Sequence, residues 1–257
     1  MKILIKYSSG TGNTGFIAAG LQKHLVKMGY QVESSDIENE TQNSEFDMLI
    51  IGGPIYAGNV PEKLIRYVLR NIPDAKNKKA IVYTTSTGLL NAHGVLSISK
   101  KLHNKGYDVV SNERFVLPRN YYFGHYSPME DEYCKKLFME AGKQVELLVE
   151  DIKNNTYNKP EIENKGILSK DLLAELFSVM AKFMGKSFRA NQNCTLCMKC
   201  VKNCPQKNIK KKNAKILFGF NCMMCTRCIH GCPSNAIEYS KKTYKQYDAS
   251  RYMEPDK

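Results

Sequence analysis

The first 155 residues alternate between short apolar runs and longer segments in which apolar residues recur every three or four positions. Short apolar runs are typical of buried parallel strands, and the longer segments are typical of amphipathic helices. Strands are predicted at residues 3–7, 31–37, 46–52, 80–84 and 107–116. Helices are predicted from residue 16 and at 61–69, 94–103 and 131–152. This alternation predicts an α/β fold with a five-stranded parallel sheet.

The pattern changes after the last of these helices. Residues 154–165 are polar and mark a boundary, and apolar residues then recur at helical intervals through 172–184, after a candidate N-cap at Ser169. This helix is expected to pack on one or both flanking domains. Attachment to a membrane surface is the alternative, because three lysines decorate it. We expect a domain at 1–155, a linker with this helix at 156–187, and a second domain at 188–257.

Length and charge support two unequal domains. The chain has 257 residues and a net charge of +13, and residues 166–257 carry 17 Lys and Arg against 6 Asp and Glu. A basic half of this kind is compatible with nucleic acid, an anionic membrane or acidic proteins as partners. No apolar run reaches the ~20 residues needed to span a bilayer, and the first residues lack a secretion signal. We therefore expect a cytoplasmic protein without a transmembrane segment.

Eight of the nine cysteines form two copies of one pattern. In each copy three cysteines are separated by two residues each, and a fourth cysteine follows after three residues and precedes a proline. The spacing C-x2-C-x2-C-x3-C-P is the known signature of [4Fe-4S] ligation in bacterial ferredoxins. Zinc and disulfides are the alternatives. Zinc sites normally use two C-x2-C pairs and a longer spacer, and disulfides need an oxidising compartment.

Residues 188–240 resemble a two-cluster bacterial ferredoxin domain, which is a small α+β fold. In that family the fourth cysteine of each motif binds the cluster of the other motif. The resemblance implies one [4Fe-4S] cluster on Cys194, Cys197, Cys200 and Cys232. It implies a second [4Fe-4S] cluster on Cys222, Cys225, Cys228 and Cys204.

The first predicted strand runs into a loop that is rich in glycine and hydroxyl groups. Its hydroxyl and amide donors stand at a helix N-terminus and suit a terminal phosphate monoester. The candidate phosphate ligands are Ser9, Gly10, Thr11, Gly12, Asn13 and Thr14. The same loop fits the dinucleotide fingerprint G-x-G-x-x-G, with Glu33 near the position of a ribose-binding acid, so dinucleotide binding is the alternative.

The hydroxyl-rich form of this loop resembles the FMN phosphate loop of flavodoxins. The resemblance implies a flavodoxin-like, doubly wound sheet with FMN at the carboxyl ends of strands one and three. Further candidate flavin contacts follow the third strand, at Pro54, Ile55, Tyr56, Ala57 and Gly58. Others follow the fourth strand, at Thr85, Ser86, Thr87 and Gly88.

Because the chain has no tryptophan, a ring that stacks on the flavin must be tyrosine or phenylalanine. Tyr56 is the first candidate, and packing beneath the sheet is its alternative role. The second flavin face is either open or covered by Tyr121, Tyr122 or Phe123. The Ala57-Gly58 peptide resembles the place where flavodoxins reorient a backbone group toward flavin N5.

Cys134 and His230 have side chains that could react or bind a metal, and neither is expected to do so. Cys134 has no cysteine nearby in the sequence and is expected to be an ordinary helix residue. His230 lies inside the second cysteine motif, where four thiolates already complete each cluster. We expect it at the surface and not as a ligand.

The whole chain resembles the EFR-type family, in which a flavodoxin-like domain is fused to a two-cluster ferredoxin domain. The resemblance implies an anaerobic electron-transfer protein that contains FMN and two [4Fe-4S] clusters. It implies an electron carrier more than an enzyme with its own small-molecule substrate, and no residue is expected to be catalytic. An NAD(P)H- or quinone-dependent flavin oxidoreductase is one alternative. A docking or sensing module without FMN is the other.

The lysines of the second domain are interleaved with the cysteines, which favours an acidic redox partner over nucleic acid. The expected partner is an acidic low-potential protein, either a ferredoxin or a flavodoxin, or else a reductase. The sequence does not determine the oligomeric state.

Overall fold

The computed structural model describes residues 1–39, 43–56, 59–88, 92–121, 126–162, 176 and 179–253, with the backbone alone at 92 and 93. The described residues from 1 to 162 form a larger N-terminal part, and those from 179 to 246 form a smaller cysteine-rich part. None of the helices in these ranges is long and apolar enough to cross a membrane.

A five-stranded parallel sheet forms the centre of the N-terminal part. Its strands are β1 (Lys2–Tyr7), β2 (Gln31–Asp36), β3 (Met48–Pro54), β4 (Lys78–Ser86) and β5 (Tyr107–Val116), in the order β2-β1-β3-β4-β5. This order is that of the flavodoxin-like doubly wound sheet, so the predicted fold of this part is confirmed. β4 is longer than predicted, because its polar ends continue the hydrogen-bonded ladder beyond the apolar run.

Helices cover both faces of the sheet. α1 (Asn13–Lys27) and α4 (Asp131–Asn154) pack on the face of Ile3 and Ile5. α2 (Glu62–Asn71) and α3 (Ala92–Asn104) pack on the opposite face, where the side chain of Leu4 of β1 lies. The alternation of neighbouring β1 residues between two buried cores explains why this strand is apolar throughout. Cys134 is buried inside α4, as expected of an ordinary helix residue.

The cysteine-rich part contains two small antiparallel sheets. β6 (Phe188–Ala190) pairs with β9 (Ile237–Tyr239), and β7 (Ile209–Lys212) pairs with β8 (Lys215–Phe218). Short helices at Lys199–Lys202 and Arg227–His230 each contain the third cysteine of their motif. These elements surround an apolar cluster of their own. The ferredoxin-like identity of this part stays a prediction.

The predicted helix over 172–184 is described only in part, since residues 163–175, 177 and 178 lie outside the described ranges. Residues 179–184 are helical. Ala181 and Met184 pack against the apolar cluster of the cysteine-rich part. Val179, Met180 and Phe183 are about half exposed or more, so this face is not buried as amphipathic packing predicts.

Residues 247–253, called the C-terminal segment below, pack against the N-terminal part. Tyr247 and Ala249 are buried in the same core as α1 and α4. Tyr252 stacks on Phe138 of α4 at 5.9 Å between ring centroids, and its hydroxyl donates to Asp131 at 2.8 Å. Residues 247–253 therefore contribute to the packing of the N-terminal part, although the domain boundaries at 155 and 188 themselves stay predictions.

Candidate functional site

The predicted phosphate loop lies between β1 and α1, at the carboxyl edge of the sheet. Gly12 precedes α1 with φ of +103°, in the left-handed region that favours glycine. No side chain caps this helix at Gly12, and its first turn contains no acidic residue. The first N–H groups of a helix have no acceptor within it, so they attract an anion. The start of α1 therefore suits an anion such as a phosphate, although the Ser9 hydroxyl already accepts from the N–H of Gly15.

Hydroxyl groups connect this loop to the strand beside it. The Ser9 hydroxyl accepts hydrogen bonds from the N–H groups of Gly12 and Gly15, each at 3.2 Å. Thr14 is buried, and its hydroxyl lies 2.8 Å from that of Thr85 at the end of β4. The Asn13 side-chain amide donates to the Pro118 carbonyl at 2.9 Å. The backbone N–H and the second Nδ2 hydrogen remain as donors, so Asn13 as a phosphate ligand stays a prediction.

The loop after β3 meets the phosphate loop, as predicted. Pro54 ends β3, and the N–H of Ile55 donates to the Thr85 carbonyl at 2.9 Å. A Cβ atom on Gly10 would lie 2.8 Å from the Tyr56 hydroxyl oxygen. Burial, followed by the charge of Cys225, raises the pKa of Tyr56, so this phenol stays neutral. Stacking of Tyr56 on a flavin stays a prediction, and positions 57 and 58 lie outside the described residues.

The loop after β4 turns at Gly88, whose φ is +92°. Its N–H donates to the Ser86 hydroxyl at 3.2 Å, with Thr87 between them. The Ser86 carbonyl accepts from the Leu117 N–H at 2.8 Å, which joins this loop to the end of β5. Of the aromatic candidates there, Tyr121 is exposed and packs edge-on against Tyr126, and positions 122 and 123 lie outside the described residues.

The eight motif cysteines line two separate cavities, and each cavity takes cysteines from both motifs. The first contains about 290 Å³ free of protein atoms, including space open to solvent, and the second about 380 Å³. The cysteines of the first cavity are Cys194, Cys197, Cys200 and Cys232. Those of the second cavity are Cys204, Cys222, Cys225 and Cys228. This is the crossed grouping that the ferredoxin resemblance implies, and the binding of clusters in these cavities stays a prediction.

The backbone around the cysteines repeats with an offset of 28 residues. Left-handed φ values occur at six corresponding non-glycine positions: Leu196 and Met224, Met198 and Thr226, and Lys207 and Asn235. Each such residue costs of the order of 1–2 kcal/mol. Because these six residues occupy corresponding positions, the loops of the two motifs have the same backbone geometry.

Backbone N–H groups point at the sulfur atoms in the same repeating manner. The N–H of Asn208 donates to the Cys204 sulfur, and the N–H of Ala236 donates to the Cys232 sulfur, both at 3.3 Å. Hydrogen bonds of this kind stabilise thiolates and tune the potential of a bound cluster.

The two cavities are poor environments for bare thiolates. Burial and neighbouring cysteines together raise the pKa of Cys200 to about 11 and that of Cys222 to about 12, although backbone N–H groups that donate to the sulfurs oppose the rise. A bound cation reverses this preference, because its charge stabilises the thiolate form. Within the described ranges, no three His, Cys, Asp or Glu side chains converge closely enough for a single metal ion.

The second cavity lies against the phosphate loop. A Cβ atom on Gly10 would lie 3.2 Å from the Cys225 carbonyl oxygen. Lys63 of α2 donates to the carbonyl of Pro205, which also lines this cavity, at 3.2 Å. The sites predicted separately for a phosphate and for the second-motif cysteines are therefore neighbours.

The expected surface position of His230 is wrong. His230 is partly buried between the two parts, and its Nε2 lies 2.6 Å from the Asn120 carbonyl. Its Nδ1 accepts from the N–H of Tyr247 at 2.9 Å, so Nε2 carries the proton. Burial lowers the pKa of His230, although the bond to Asn120 opposes this. This position results from contacts with Tyr247 and Asn120, which lie 17 and 110 residues away in the sequence. The cysteine motif alone does not predict these contacts.

Sequence reasoning also missed Asp36 and Arg227, which face each other beside the loop. The Asp36 carboxylate accepts from the Ser9 N–H at 3.2 Å and lies 3.9 Å from the Arg227 guanidinium. Burial raises the pKa of Asp36, while the hydrogen bonds to its carboxylate and the charge of Arg227 oppose that rise. An arginine at a variable position of a cysteine motif gives no sequence signal for this pairing.

The comparisons with known proteins agree with the sheet topology. Residues 4–113 match the family model of the flavodoxin domain, and no curated protein matches the chain. A flavodoxin from the domain Archaea is 14% identical, with a TM-score of 0.44 over 60% of this chain and 99% of that one. Flavodoxin 1 from Bacillus cereus is 22% identical, with a TM-score of 0.41 over 57% and 98%. The Fusobacterium nucleatum flavodoxin bound to flavin mononucleotide is 16% identical, with a TM-score of 0.43 over 60% and 98%.

The family match and the strand order together identify the N-terminal part as a flavodoxin-like domain.

Burial predicts an order of alkylation among the cysteines. In metal-free, reduced protein at pH 8, exposed Cys197 should react with iodoacetamide first, whereas Cys222, whose pKa burial raises to about 12, should react among the last. The thiolate is the nucleophile, and each pKa unit above the ambient pH lowers its population about tenfold. Mass spectrometry of peptides sampled over time gives the rates. The same chain in guanidinium chloride is the control, and equal rates without denaturant would contradict the cavities.

Proposed function

We propose that the chain is an electron-transfer protein that binds FMN in its flavodoxin-like domain and two [4Fe-4S] clusters in its cysteine-rich part. The observation that carries the proposal is the crossed grouping of eight cysteines into two cavities, one of which lies against the phosphate loop. When bound, the clusters exchange single electrons and FMN exchanges one or two. The protein supplies placement and tuning of these groups.

The phosphate loop supports FMN over a dinucleotide. The donors at the N-terminus of α1 include hydroxyl groups of Ser9 and Thr11 as well as backbone N–H groups, and they suit a phosphate with three free oxygens. The strand order supports the same choice, because FMN binds flavodoxin-like sheets where strands one and three meet. Pro54, Ile55 and Thr85 border that position.

The residues of the cysteine-rich part have separate tasks in this proposal. The eight cysteines hold the irons, and the N–H groups of residues 208 and 236 stabilise the sulfurs of Cys204 and Cys232. Tyr56 and Cys225 both approach Gly10, which places the second cavity beside the phosphate loop. A short distance between the cluster of the second cavity and FMN favours electron exchange inside one chain.

The charge of the cysteine-rich part supports an acidic low-potential redox protein as the partner. Residues 189–257 contain 14 Lys and Arg against 4 Asp and Glu, and two bound clusters remove only about 4 units of that excess. The lysines of β7 and β8 are exposed, and so is Cys197 of the first cavity. Complementary charge accelerates the encounter of two proteins by roughly 10- to 1000-fold at low salt.

Anaerobic purification tests the cofactor content. We expect about eight irons and about eight sulfides per chain from two [4Fe-4S] clusters, together with about one FMN. Colorimetric iron and sulfide assays and chromatography of the released flavin give these values. Stoichiometric zinc without iron would refute the clusters, and release of FAD would refute the FMN assignment.

The crossed grouping predicts that a substitution in one motif removes the cluster held mainly by the other motif. Cys232→Ser should lower the iron content by about half and remove the cluster of the first cavity, although residue 232 belongs to the second motif. Electron paramagnetic resonance of the reduced variant distinguishes the clusters. Cys134→Ser is the matched control, because that cysteine lies inside α4. Loss confined to the second cavity would show that the ligands are paired wrongly.

The proposed partner predicts a rate that depends on salt. Stopped-flow reduction by an acidic ferredoxin should slow as salt rises from 0.1 M to 1 M, because the Debye length falls from ~10 Å to ~3 Å. Lys212→Glu in β7 should slow the reaction at low salt, whereas Lys143→Glu on α4 is the matched control. A rate indifferent to salt, or faster direct reduction by NAD(P)H, would instead favour an oxidoreductase.

A further inference from the structure

Arg227 crosses from the cysteine-rich part to the phosphate loop. Its Nε donates to the Gly10 carbonyl at 3.1 Å, and one of its terminal nitrogens donates to the Ser9 carbonyl. These contacts join residues 217 and 218 positions apart in the chain. A planar guanidinium can hold two acceptors at once in fixed directions, which an ammonium group cannot do.

The two carbonyls determine where the N–H groups of the loop point. In a trans peptide the C=O and the following N–H point in opposite directions. Holding the Ser9 carbonyl therefore turns the Gly10 N–H away from Arg227, and holding the Gly10 carbonyl does the same for the Thr11 N–H. A positive charge on the carbonyl side also polarises each peptide, so its N–H becomes a stronger donor. Both effects favour an anion on the far side of the loop.

A second contact fixes the other end of the loop. The Tyr247 hydroxyl donates to Asn13 Oδ1 at 2.6 Å, while Asn13 Nδ2 donates to the Pro118 carbonyl. A Cβ atom on Gly12 would lie 2.9 Å from the Ala249 Cβ, so the C-terminal segment lies directly on the loop. Asn13 cannot rotate without breaking two hydrogen bonds.

From this geometry we infer that Arg227 and Tyr247 are positioning residues for the phosphate of FMN. The inference rests on the proposed function. The flavin site then belongs to both parts of the chain: the flavodoxin-like domain provides the N–H donors, and the cysteine-rich part with the C-terminal segment holds those donors in their binding directions. Its measurable consequence is selectivity for FMN over riboflavin, which has the same ring system and no phosphate.

The test compares both flavins on anaerobic, flavin-depleted protein that retains its iron. Arg227→Gln should raise the Kd of FMN about ten- to hundredfold and leave the Kd of riboflavin unchanged, as measured by quenching of flavin fluorescence. Arg227→Lys keeps the charge without the planar fork and should recover the affinity only in part. Tyr247→Phe, which lies outside the cysteine motifs, should raise the Kd of FMN about two- to tenfold.

Two variants of the same part serve as matched controls. Arg189 pairs with Glu238 at 2.6 Å, and Tyr244 packs against the apolar cluster of the cysteine-rich part. Arg189→Gln and Tyr244→Phe should keep the wild-type affinity for FMN. Iron content must match the wild type in every variant, which separates loss of a phosphate contact from loss of a cluster.

Several results would overturn the inference. An unchanged Kd for FMN in Arg227→Gln would do so, as would an equal loss of FMN and riboflavin, which would indicate general damage to the site. Full recovery in Arg227→Lys would show that the two carbonyl contacts are unnecessary. Wild-type protein that holds its iron but binds neither flavin would refute the FMN assignment of the proposed function, and this inference with it.

Discussion

The backbone of the phosphate loop approaches the second cysteine cavity so closely at Gly10 that a side chain has no room there. A Cβ atom would lie 2.8 Å from the Tyr56 hydroxyl and 3.2 Å from the Cys225 carbonyl. Glycine removes that obstacle. The parallel sheet brings the loop to its carboxyl edge, and this contact then determines where the cysteine-rich part must sit. Arg227 contacts Gly10 itself, and residues 247–253 contact Gly12 and Asn13 of the same loop.

Charge is balanced locally across this contact. Burial by itself disfavours the charged form of Asp36, and the adjacent Arg227 guanidinium offsets part of that cost. Arg227 also lines the second cavity, where a cluster would add about −2. Arg227 thus faces the Asp36 carboxylate and the Ser9 and Gly10 carbonyls, beside the cavity in which we propose a cluster. The exposed lysines of β7 and β8 face solvent instead.

The sequence was sufficient for the features that depend on local spacing. The alternation of strand-like and helical segments predicted all five strands, although β2 is largely polar, and the loop before α1 was recognised from its glycines and hydroxyls. The cysteine pattern identified the eight cysteines, and the family resemblance gave the crossed grouping that the cavities reproduce. Contacts between distant residues left no such pattern. Tyr247 meets Asn13 across 234 positions, and neither residue belongs to a motif that would indicate the other. The contacts of the Asn13 side chain with Tyr247 and Pro118 are therefore visible only in the structure.

Separate cofactor motifs along a chain do not make separate units in the folded molecule. Gly12 illustrates the point: a larger residue there would strain a left-handed backbone and would also displace Ala249, which is buried in the core with α1 and α4. Loss of flavin after such a substitution could not be assigned to the phosphate contact alone. Arg227 is more informative, because its contacts to the loop are hydrogen bonds to two carbonyls rather than part of that core. In the proposed function, the pairing of FMN with the two clusters therefore depends on the stability of this one small interface. Whatever holds the cysteine-rich part in place also holds the donors of the phosphate loop in their directions.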